Sequence, residues 1–289
     1  MPDALALAII GGSGLYQFPG LEGLEAFDLQ TPFGRTSAPI IVGTLAGKRV
    51  AFLARHGLEH QVSPTEINYR ANIYALKLLG AQDVISISAC GSLREVIAPG
   101  DIVIPDQLFD HTHGRIRSFF GEGLVAHIGV AEPFCNRLSA QLSQSISPSG
   151  SRKVHSSGTI VTIEGPRFST RAESNVYRSW GMSIIGMTTS PEAFLAREAE
   201  MCYAVMAHVT DYDVWHTSEE PVSVQMVIKV LQENTTLAQA TIKNLVSTLP
   251  DHPVCTCNSA LENALITQLN RIPEETRKNL DILIDKYLK

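Results

Sequence analysis

The sequence lacks long apolar runs, basic blocks and a dense set of cysteines, and each absence excludes a class of protein. No stretch approaches the roughly 20 apolar residues of a membrane-spanning helix, so we expect no membrane insertion. Acidic residues outnumber basic ones by 29 to 23, and a net charge of −6 argues against nucleic-acid binding. The five cysteines are sparse and odd in number, which is typical of reduced thiols in a cytoplasmic enzyme.

The start and the composition of the chain favour one soluble, cytoplasmic unit. The stretch MPDALALAIIGG has no cationic flank, and its apolar run is too short for a secretory signal. Hydrophobic residues make up 44% of the 289 residues, which is enough for a sizeable core. No repeat, low-complexity tract or clear linker divides the chain. We therefore expect a single domain over 1–289, with a helical C-terminal part from about 221.

Strand and helix patterns alternate along the chain, which predicts an α/β fold. Apolar runs predict strands at 5–10, 50–54, 83–89, 101–109, 158–164, 182–187 and 202–210. Helices are predicted at 65–80, 134–145, 170–180 and 191–200, and from 221 onward with a break near 249–258. The stretch SPSGS at 147–151 predicts a loop.

Polar or small residues follow directly after several predicted strands. In open α/β sheets, ligands bind at the carboxyl ends of the strands. We therefore expect one binding site that gathers residues from distant parts of the sequence, namely Ser13, Arg55, His56, Ser88, Ala89, Thr188 and Asp211.

Three short motifs at these strand ends are ambiguous when each is taken alone. GGSG (11–14) allows a ligand to approach backbone N–H groups or forms a plain tight turn, and it is not a full dinucleotide fingerprint. RHG (55–57), followed by His60, binds an oxyanion or forms a solvated turn. SACGSL (88–93) resembles an anion cradle, and its Cys90 is more consistent with a buried thiol than with a nucleophile.

Three further motifs carry weaker signals. EGPRFSTRAES (164–174) offers Phe168 for stacking on a planar ring, and then Ser169 or Thr170 as a helix cap. DHTHG (110–114) has two histidines but no accompanying ligand set with zinc spacing, so we expect no metal there. CTC (255–257) is either a redox pair or a loop with two unrelated thiols.

The stretch HVTDYDVWH (208–216) places two carboxyl groups directly after a strand that is buried on both faces. A desolvated carboxylate costs several kcal/mol unless it is partnered. Residues two apart on a strand point to the same side. We therefore expect Asp211 and Asp213 to reach one edge of a flat ligand, with a solvated turn as the alternative. Close carboxyls push their pKa values apart, so one can hold a proton near neutral pH.

Taken together, these motifs resemble the trimeric purine nucleoside phosphorylase family, and within it the phosphorylases that act on 5′-methylthioadenosine. The resemblance spans residues 9 to about 230 and is carried by GGSGLY, RHG, INYRANIYALK, SACGSLREVIAPGDIVIPDQLFD, AEPFC, EGPRFSTRAES, GMTTSPEAFLAREAEMCYA and TDYDVW. It implies an α/β fold with a central mixed sheet, a homotrimer, and no metal or organic cofactor. It also implies a reaction in which inorganic phosphate converts 5′-methylthioadenosine to adenine and 5-methylthioribose 1-phosphate.

The resemblance further implies a role for each site residue. Phosphate is expected to contact Ser13, Arg55, His56, Ser88, Ala89 and Thr188. The nucleoside is expected to contact His60, Met187 under the ribose, Phe168 and Ser169 at the purine, Val224 and Val227 near the methylthio group, and His127 from a neighbouring subunit. Asp211 is expected to protonate N7 of the departing adenine, and Asp213 to accept a hydrogen bond from its 6-amino group.

Alternatives stay open at this point. Relatives that use 6-oxopurines carry Asn at the position of Asp211 and Glu at that of Ser169, so the sequence disfavours methylthioinosine, inosine and guanosine. It does not separate methylthioadenosine from adenosine. Ser169 and Val224 are the expected specificity positions. A binding or regulatory protein without turnover is the alternative from a different class, and the competent residues at each matched position argue against it.

Overall fold

The computed structural model describes residues 5–12, 15, 20–147, 152–216, 224–250 and 254–288, and within 224–250 it describes the side chains of 225 and 234–250. The strands are β1 (Leu7–Gly11), β2 (Leu21–Phe27), β3 (Gln30–Thr31), β4 (Gly34–Arg35), β5 (Ile40–Leu45), β6 (Lys48–Ala54), β7 (Asp83–Ser92), β8 (Ile102–Val103), β9 (Gln107–His111), β10 (Val154–His155), β11 (Thr159–Ile163), β12 (Ile184–Gly186) and β13 (Cys202–Asp211).

The helices are α1 (Tyr69–Leu78), α2 (Asn136–Ser145), α3 (Arg171–Ser179), α4 (Thr189–Glu198), α5 (Val224–Thr248), α6 (Glu274–Asn279) and α7 (Asp281–Ile284). Short 3-10 turns lie at Thr256–Ser259, Leu269–Arg271 and Asp285–Tyr287. Among the described residues, no helix combines the length and the apolar character needed to cross a bilayer.

Eleven of the strands form one mixed sheet, whose centre is parallel. The order along its main path is β10-β8-β13-β7-β1-β6-β5-β2. The pairs β6–β1, β1–β7 and β7–β13 are parallel, whereas β5 and β8 run antiparallel to their inner neighbours. The end of β7 also pairs antiparallel with β12, which continues through β11 to β9. The predicted α/β class with a mixed sheet flanked by helices is therefore confirmed.

Helices cover both faces of the sheet. Successive side chains of β13 point alternately into the two core clusters that these helices form with the sheet. Tyr203 and Val205 belong to one core cluster, together with buried residues of α1 and α4. Ala204 and Met206 belong to a second cluster, with residues of α2 and α5. Because β13 is buried on both faces, it has the continuous apolar sequence that is typical of a central parallel strand.

Several predicted boundaries differ from the structure for identifiable reasons. β7 runs on to Ser92 because its last residues pair with both β13 and β12, so SACGS lies inside a strand and not in a turn after it. The predicted strand at 101–109 is two strands, β8 and β9, interrupted at Pro105, which has no N–H for a ladder. The helix predicted from 65 begins at Tyr69, since the Asn68 side chain caps it by accepting a hydrogen bond from the Ala71 N–H.

The antiparallel pair of β2 and β5 carried no clear sequence signal. β2 has the sequence LEGLEAF and is mostly exposed, so it lacks the buried alternation that predicts a strand. It lies at the sheet edge, where Glu22 and Glu25 discourage pairing with another chain. The predicted loop at 147–151 falls mainly on residues outside the described part of the chain.

Candidate active site

The pairing of β7 brings two phosphate-site candidates to one edge of the sheet. Ser88 lies two residues beyond the last β7 residue that pairs with β1, and it is half-buried. Arg55 immediately follows β6 on the other side of β1, and its backbone N–H donates to the Gly11 carbonyl at 3.0 Å. Arg55 and Ser88 therefore flank the carboxyl end of β1.

The antiparallel strand β12 adds further residues to the same edge. Ile185 lies opposite Gly91 in the β12–β7 pair. β12 ends at Gly186, where an added Cβ would lie 3.9 Å from the Ala89 carbonyl oxygen, and Met187 and Thr188 follow directly from there. Thr188 precedes α4, is buried, and makes no capping bond with its side chain. Its hydroxyl is therefore available to a ligand.

Arg55 is buried in a network that fixes its orientation. Its Nε and Nη2 atoms donate to the two carboxylate oxygens of Glu192 at 2.8 and 2.9 Å, and Nη2 also donates to Ser86 Oγ at 2.6 Å. The Tyr203 hydroxyl donates to the same carboxylate at 2.7 Å. Burial disfavours the charged form of Arg55, but the negative charge and hydrogen bonds of Glu192 favour it more strongly. The pKa of Arg55 is therefore raised. Within the described residues only Nη1 makes no hydrogen bond, which leaves one charged donor for an anion.

His56 is a neutral group at neutral pH and not a second cation. Burial, followed by the charge of Arg55, lowers its pKa to about 4. Its Nδ1 lies 2.8 Å from the Val62 carbonyl, which fixes that nitrogen as the donor. His60 stacks on the ring, with the centroids 4.4 Å apart. The remaining Nε2 is a hydrogen-bond acceptor, which suits a protonated phosphate oxygen better than a bare one.

The carboxyls of Asp211 and Asp213 come together, but not by strand alternation as the sequence predicted. β13 ends at Asp211 after a register shift, and Asp213 adopts a left-handed conformation with φ of 51°. The Asp213 N–H donates to Asp211 Oδ1 at 2.7 Å, and the Thr210 hydroxyl donates to Oδ2 at 2.6 Å. A side-chain turn therefore joins the pair, as Asp residues commonly do. Trp215 anchors the stretch by donating to the Ser92 carbonyl at 2.8 Å.

Both carboxyls are buried, and neither forms an ion pair with a cationic side chain among the described residues. Asp211 is 5% exposed and Asp213 is 6% exposed. Burial, helped by the charge of Asp213, raises the pKa of Asp211 to about 6. Burial also raises the pKa of Asp213, whose Oδ2 makes no hydrogen bond within the described part of the chain. The site can thus offer one carboxylic acid and one acceptor to the same ligand.

Gly91 allows this arrangement, a role that the sequence analysis did not assign. A Cβ atom at Gly91 would lie 2.9 Å from Asp211 Oδ1, 3.0 Å from a methyl group of Ile185 and 3.2 Å from the Asp213 Cβ. A larger residue would therefore displace the acid or the neighbouring strand.

The structure separates the two cap candidates that precede α3. Thr170 is the cap, and it forms a reciprocal capping box with Glu173. Ser169 is left buried, and its Oγ has no partner among the described residues. Phe168 stays 37% exposed on the same loop. This loop therefore leaves one buried hydroxyl without a partner among the described residues and one aromatic ring partly open to solvent.

Arg115 was missed by the sequence analysis, because a single arginine in a polar loop carries no local signal. Its guanidinium is buried and donates to the carbonyls of Met187 at 2.6 Å, Ser190 at 2.7 Å and Glu164 at 2.7 Å. It therefore ties the end of β11 to the segment that joins β12 to α4. We assign Arg115 as a positioning residue for the loops around the site.

Four predicted site residues are not joined to this cluster. Ser13 and the side chains of Val224 and Val227 lie outside the described residues. His127 is exposed, and its backbone N–H donates to the Ala264 carbonyl at 2.8 Å. In the described residues no hydrogen bond or ring contact connects His127 with the other site positions.

Comparisons with known proteins identify a family and close relatives by sequence. The family model of the phosphorylase superfamily matches residues 6–247. A relative from Geobacter sulfurreducens, named S-methyl-5′-thioadenosine phosphorylase, is 50% identical over 98% of this chain and 99% of its own. A relative of the same name from Hyperthermus butylicus is 52% identical over 90% of this chain and 95% of its own.

Solved structures are also similar. A methylthioadenosine phosphorylase from an antarctic soil metagenomic library superposes with a TM-score of 0.92 at 45% identity, covering 97% of this chain and 99% of its own. Methylthioadenosine phosphorylase from Schistosoma mansoni in complex with adenine superposes with a TM-score of 0.81 at 33% identity, covering 97% of this chain and 98% of its own.

Glu192→Gln tests whether the buried Arg55–Glu192 pair holds the site together. Removing one charge of a buried pair typically costs about 3–5 kcal/mol, because the other charge is left uncompensated. We expect a loss of that size in the free energy of unfolding, measured by urea denaturation. Tyr203→Phe is the control, since it removes one hydrogen bond to Glu192 and should cost about 1 kcal/mol. Equal losses in the two variants would contradict this account.

Proposed function

Since the chain belongs to the phosphorylase superfamily, we propose that it cleaves 5′-methylthioadenosine with inorganic phosphate to give adenine and 5-methylthioribose 1-phosphate. The observation that carries this proposal is the buried Asp211–Asp213 pair, in which Asp213 Oδ2 makes no hydrogen bond among the described residues. An acid and an acceptor side by side complement the N7 and the 6-amino group of adenine. Relatives at about half identity over nearly the full chain carry the corresponding name.

The phosphate half of the proposed site is the edge formed by Arg55, Ser88 and Thr188, with Ala89 and Ser13 as further expected contacts. The free Nη1 of Arg55 supplies the charge, because Glu192 already holds the other guanidinium atoms. Hydroxyls of Ser88 and Thr188 add neutral donors. The neutral His56 accepts a hydrogen bond from the P–O–H group of monohydrogen phosphate through Nε2, since its Nδ1 donates to Val62. Phosphate is a co-substrate, and the proposed steps use no metal or organic cofactor.

The base half of the site supplies the proton for the leaving group. As the C1′–N9 bond breaks, its electron pair leaves with adenine, and Asp211 gives its proton to N7. Asp213 accepts a hydrogen bond from the 6-amino group through the free Oδ2. A phosphate oxygen then bonds to the cationic C1′. Monohydrogen phosphate loses its proton in forming the ester, which balances the proton that Asp211 gave up.

The remaining contacts are proposed from the family pattern. Met187 lies under the ribose, and Phe168 stacks on the purine. Val224 and Val227 line the 5′ end, which His127 of a neighbouring subunit closes in a cytoplasmic homotrimer. His60 supports His56 by stacking on it. The whole chain, 1–289, acts as one catalytic domain.

A substrate panel tests the proposal directly. Adenine release from methylthioadenosine should require phosphate, and adenosine should be cleaved as well, whereas inosine and methylthioinosine should be poor. The measurement is base release with and without phosphate in one buffer. Release that persists without phosphate, or a preference for inosine, would overturn the proposed reaction.

The raised pKa of Asp211 sets the expected pH dependence. An acid with a pKa of about 6 loses its proton as the pH rises above that value, so kcat/KM for methylthioadenosine should fall by about tenfold per pH unit there. Phosphate is kept saturating, so that its own ionisation does not limit the rate. Asp211→Asn is the matched control, because it keeps a donor but has no proton to lose. Its activity should be about 10²–10⁴-fold lower and should lack this limb. If kcat/KM of the variant still falls above pH 6 as in the wild type, Asp213 and not Asp211 is the acid.

A double substitution tests the choice of base. Asp211→Asn alone should gain little inosine activity, because N1–H of a 6-oxopurine still lacks an acceptor, at a cost of about 1–3 kcal/mol. Adding Ser169→Glu supplies that acceptor where the hydroxyl now stands unpaired. We expect inosine use to rise relative to methylthioadenosine in the double variant only, measured as the ratio of kcat/KM values. A ratio that does not change would show that these two positions do not select the base.

A further inference from the structure

Four of the five cysteines meet at one point in the structure. The Sγ atoms of Cys135, Cys202, Cys255 and Cys257 all lie within 4.8 Å of one another. Cys255 Sγ is 3.4 Å from Cys135 Sγ and 3.3 Å from Cys257 Sγ. All are free thiols. The CTC stretch thus lies beside two further cysteines, a grouping that the sequence analysis did not predict.

Three parts of the chain that are distant in sequence build this cluster. Cys135 caps α2, and its backbone N–H donates to the Tyr203 carbonyl at 2.8 Å. Cys202 is the first residue of β13. Cys255 directly precedes the 3-10 turn Thr256–Ser259 that follows α5, and Cys257 lies within it. Sequence spacing could not reveal the group, because only the sheet and its helices bring the three parts together.

We propose that these four side chains bind one zinc ion as thiolates and thereby fasten the C-terminal segment to the sheet. Zinc prefers four tetrahedral ligands in structural sites, with Zn–S distances of about 2.3 Å. A tetrahedron of that size has sulfurs about 3.8 Å apart. The cluster spans 3.3 Å at its closest recorded pair and no more than 4.8 Å. Small side-chain rotations therefore suffice to complete the site.

The surroundings supply the charge that such a site needs. Four thiolates around a divalent ion carry a net charge of −2. Arg197 donates to Cys257 Sγ at 3.3 Å and to the Glu132 carbonyl at 2.6 Å, and no carboxylate forms an ion pair with it in the described residues. Arg137 lies beside the cluster as well, because it pairs with Asp83, the residue opposite Cys202 in the β7–β13 register. Its buried Nε has no hydrogen-bond partner among the described residues.

The thiols also show why a cation would be favourable here. Cys135, Cys202 and Cys257 are each at most 2% exposed. Four thiolates this close together would repel one another, and a bound divalent ion would stabilise all four together.

The proposed zinc site is remote from the proposed chemistry. Cys202 and Asp211 are the first and the last residues of β13, which places them roughly 30 Å apart at about 3.3 Å per residue. The zinc would therefore act on stability and not on the reacting atoms. The zinc content can therefore be measured independently of whether the protein catalyses the proposed reaction.

The test uses the full chain, expressed in a reducing host with zinc supplied and purified without a metal-affinity tag. We expect about one zinc per chain by elemental analysis. Exchange of zinc for cobalt(II) should give the thiolate-to-metal absorption bands of a tetrahedral sulfur site. A thiol reagent should modify the four cysteines only after unfolding in the presence of a chelator.

The variant Cys255→Ser/Cys257→Ser should retain less than a tenth of the zinc and should melt at a lower temperature, while kcat at low temperature stays near that of the wild type. Cys90→Ser is the matched control, because Cys90 is buried elsewhere in the core and should leave the zinc content unchanged. The proposal is overturned if reduced, zinc-supplied protein holds no zinc, if mass spectrometry finds disulfides among these cysteines in that protein, or if the double variant keeps its zinc.

Discussion

The hydrogen bonding of β7 along its whole length is the constraint on which the site depends. A ten-residue strand that is paired with β1, β13 and β12 cannot slide, because a shift of one residue would reverse every buried side chain. Its register therefore fixes where Arg55, Thr188 and Asp211 stand relative to Ser88 and Gly91. The loops carry most of the functional side chains, and the register of β7 determines which of them lie close together.

The two halves of the site treat buried charge in opposite ways. Arg55 is compensated by Glu192, supported by Tyr203, so its position is fixed before any ligand arrives. Asp211 and Asp213 lack such compensation, and burial raises the pKa of both. Uncompensated carboxyls are costly to bury. The proposed function gives this cost a reason, since the N7 of a 6-aminopurine takes the proton of Asp211 and its 6-amino group donates to Asp213.

The two ends of β13 carry two different groups of reactive side chains. Its carboxyl end carries the Asp pair, where parallel strands commonly place ligands. Its first residue, Cys202, lies in the cysteine cluster with the turn that follows α5. The strand between them is buried on both faces, so the two regions are joined by rigid sheet rather than by a mobile loop. A proposed stabilising site and a proposed catalytic site can thus share a strand without sharing their chemistry.

The sequence by itself determined the α/β class, most of the central strands and the prominence of Asp211 and Asp213, because periodicity and a charge after an apolar run are local properties. The tertiary structure alone decided the β2–β5 pairing, the turn that joins the two carboxyls, the close packing at Gly91, the choice of Thr170 as the helix cap, and the hydrogen bonds of Arg115. It also brought together four cysteines from three separate segments. These features depend on strand register and close packing between residues far apart in sequence, which no local pattern encodes.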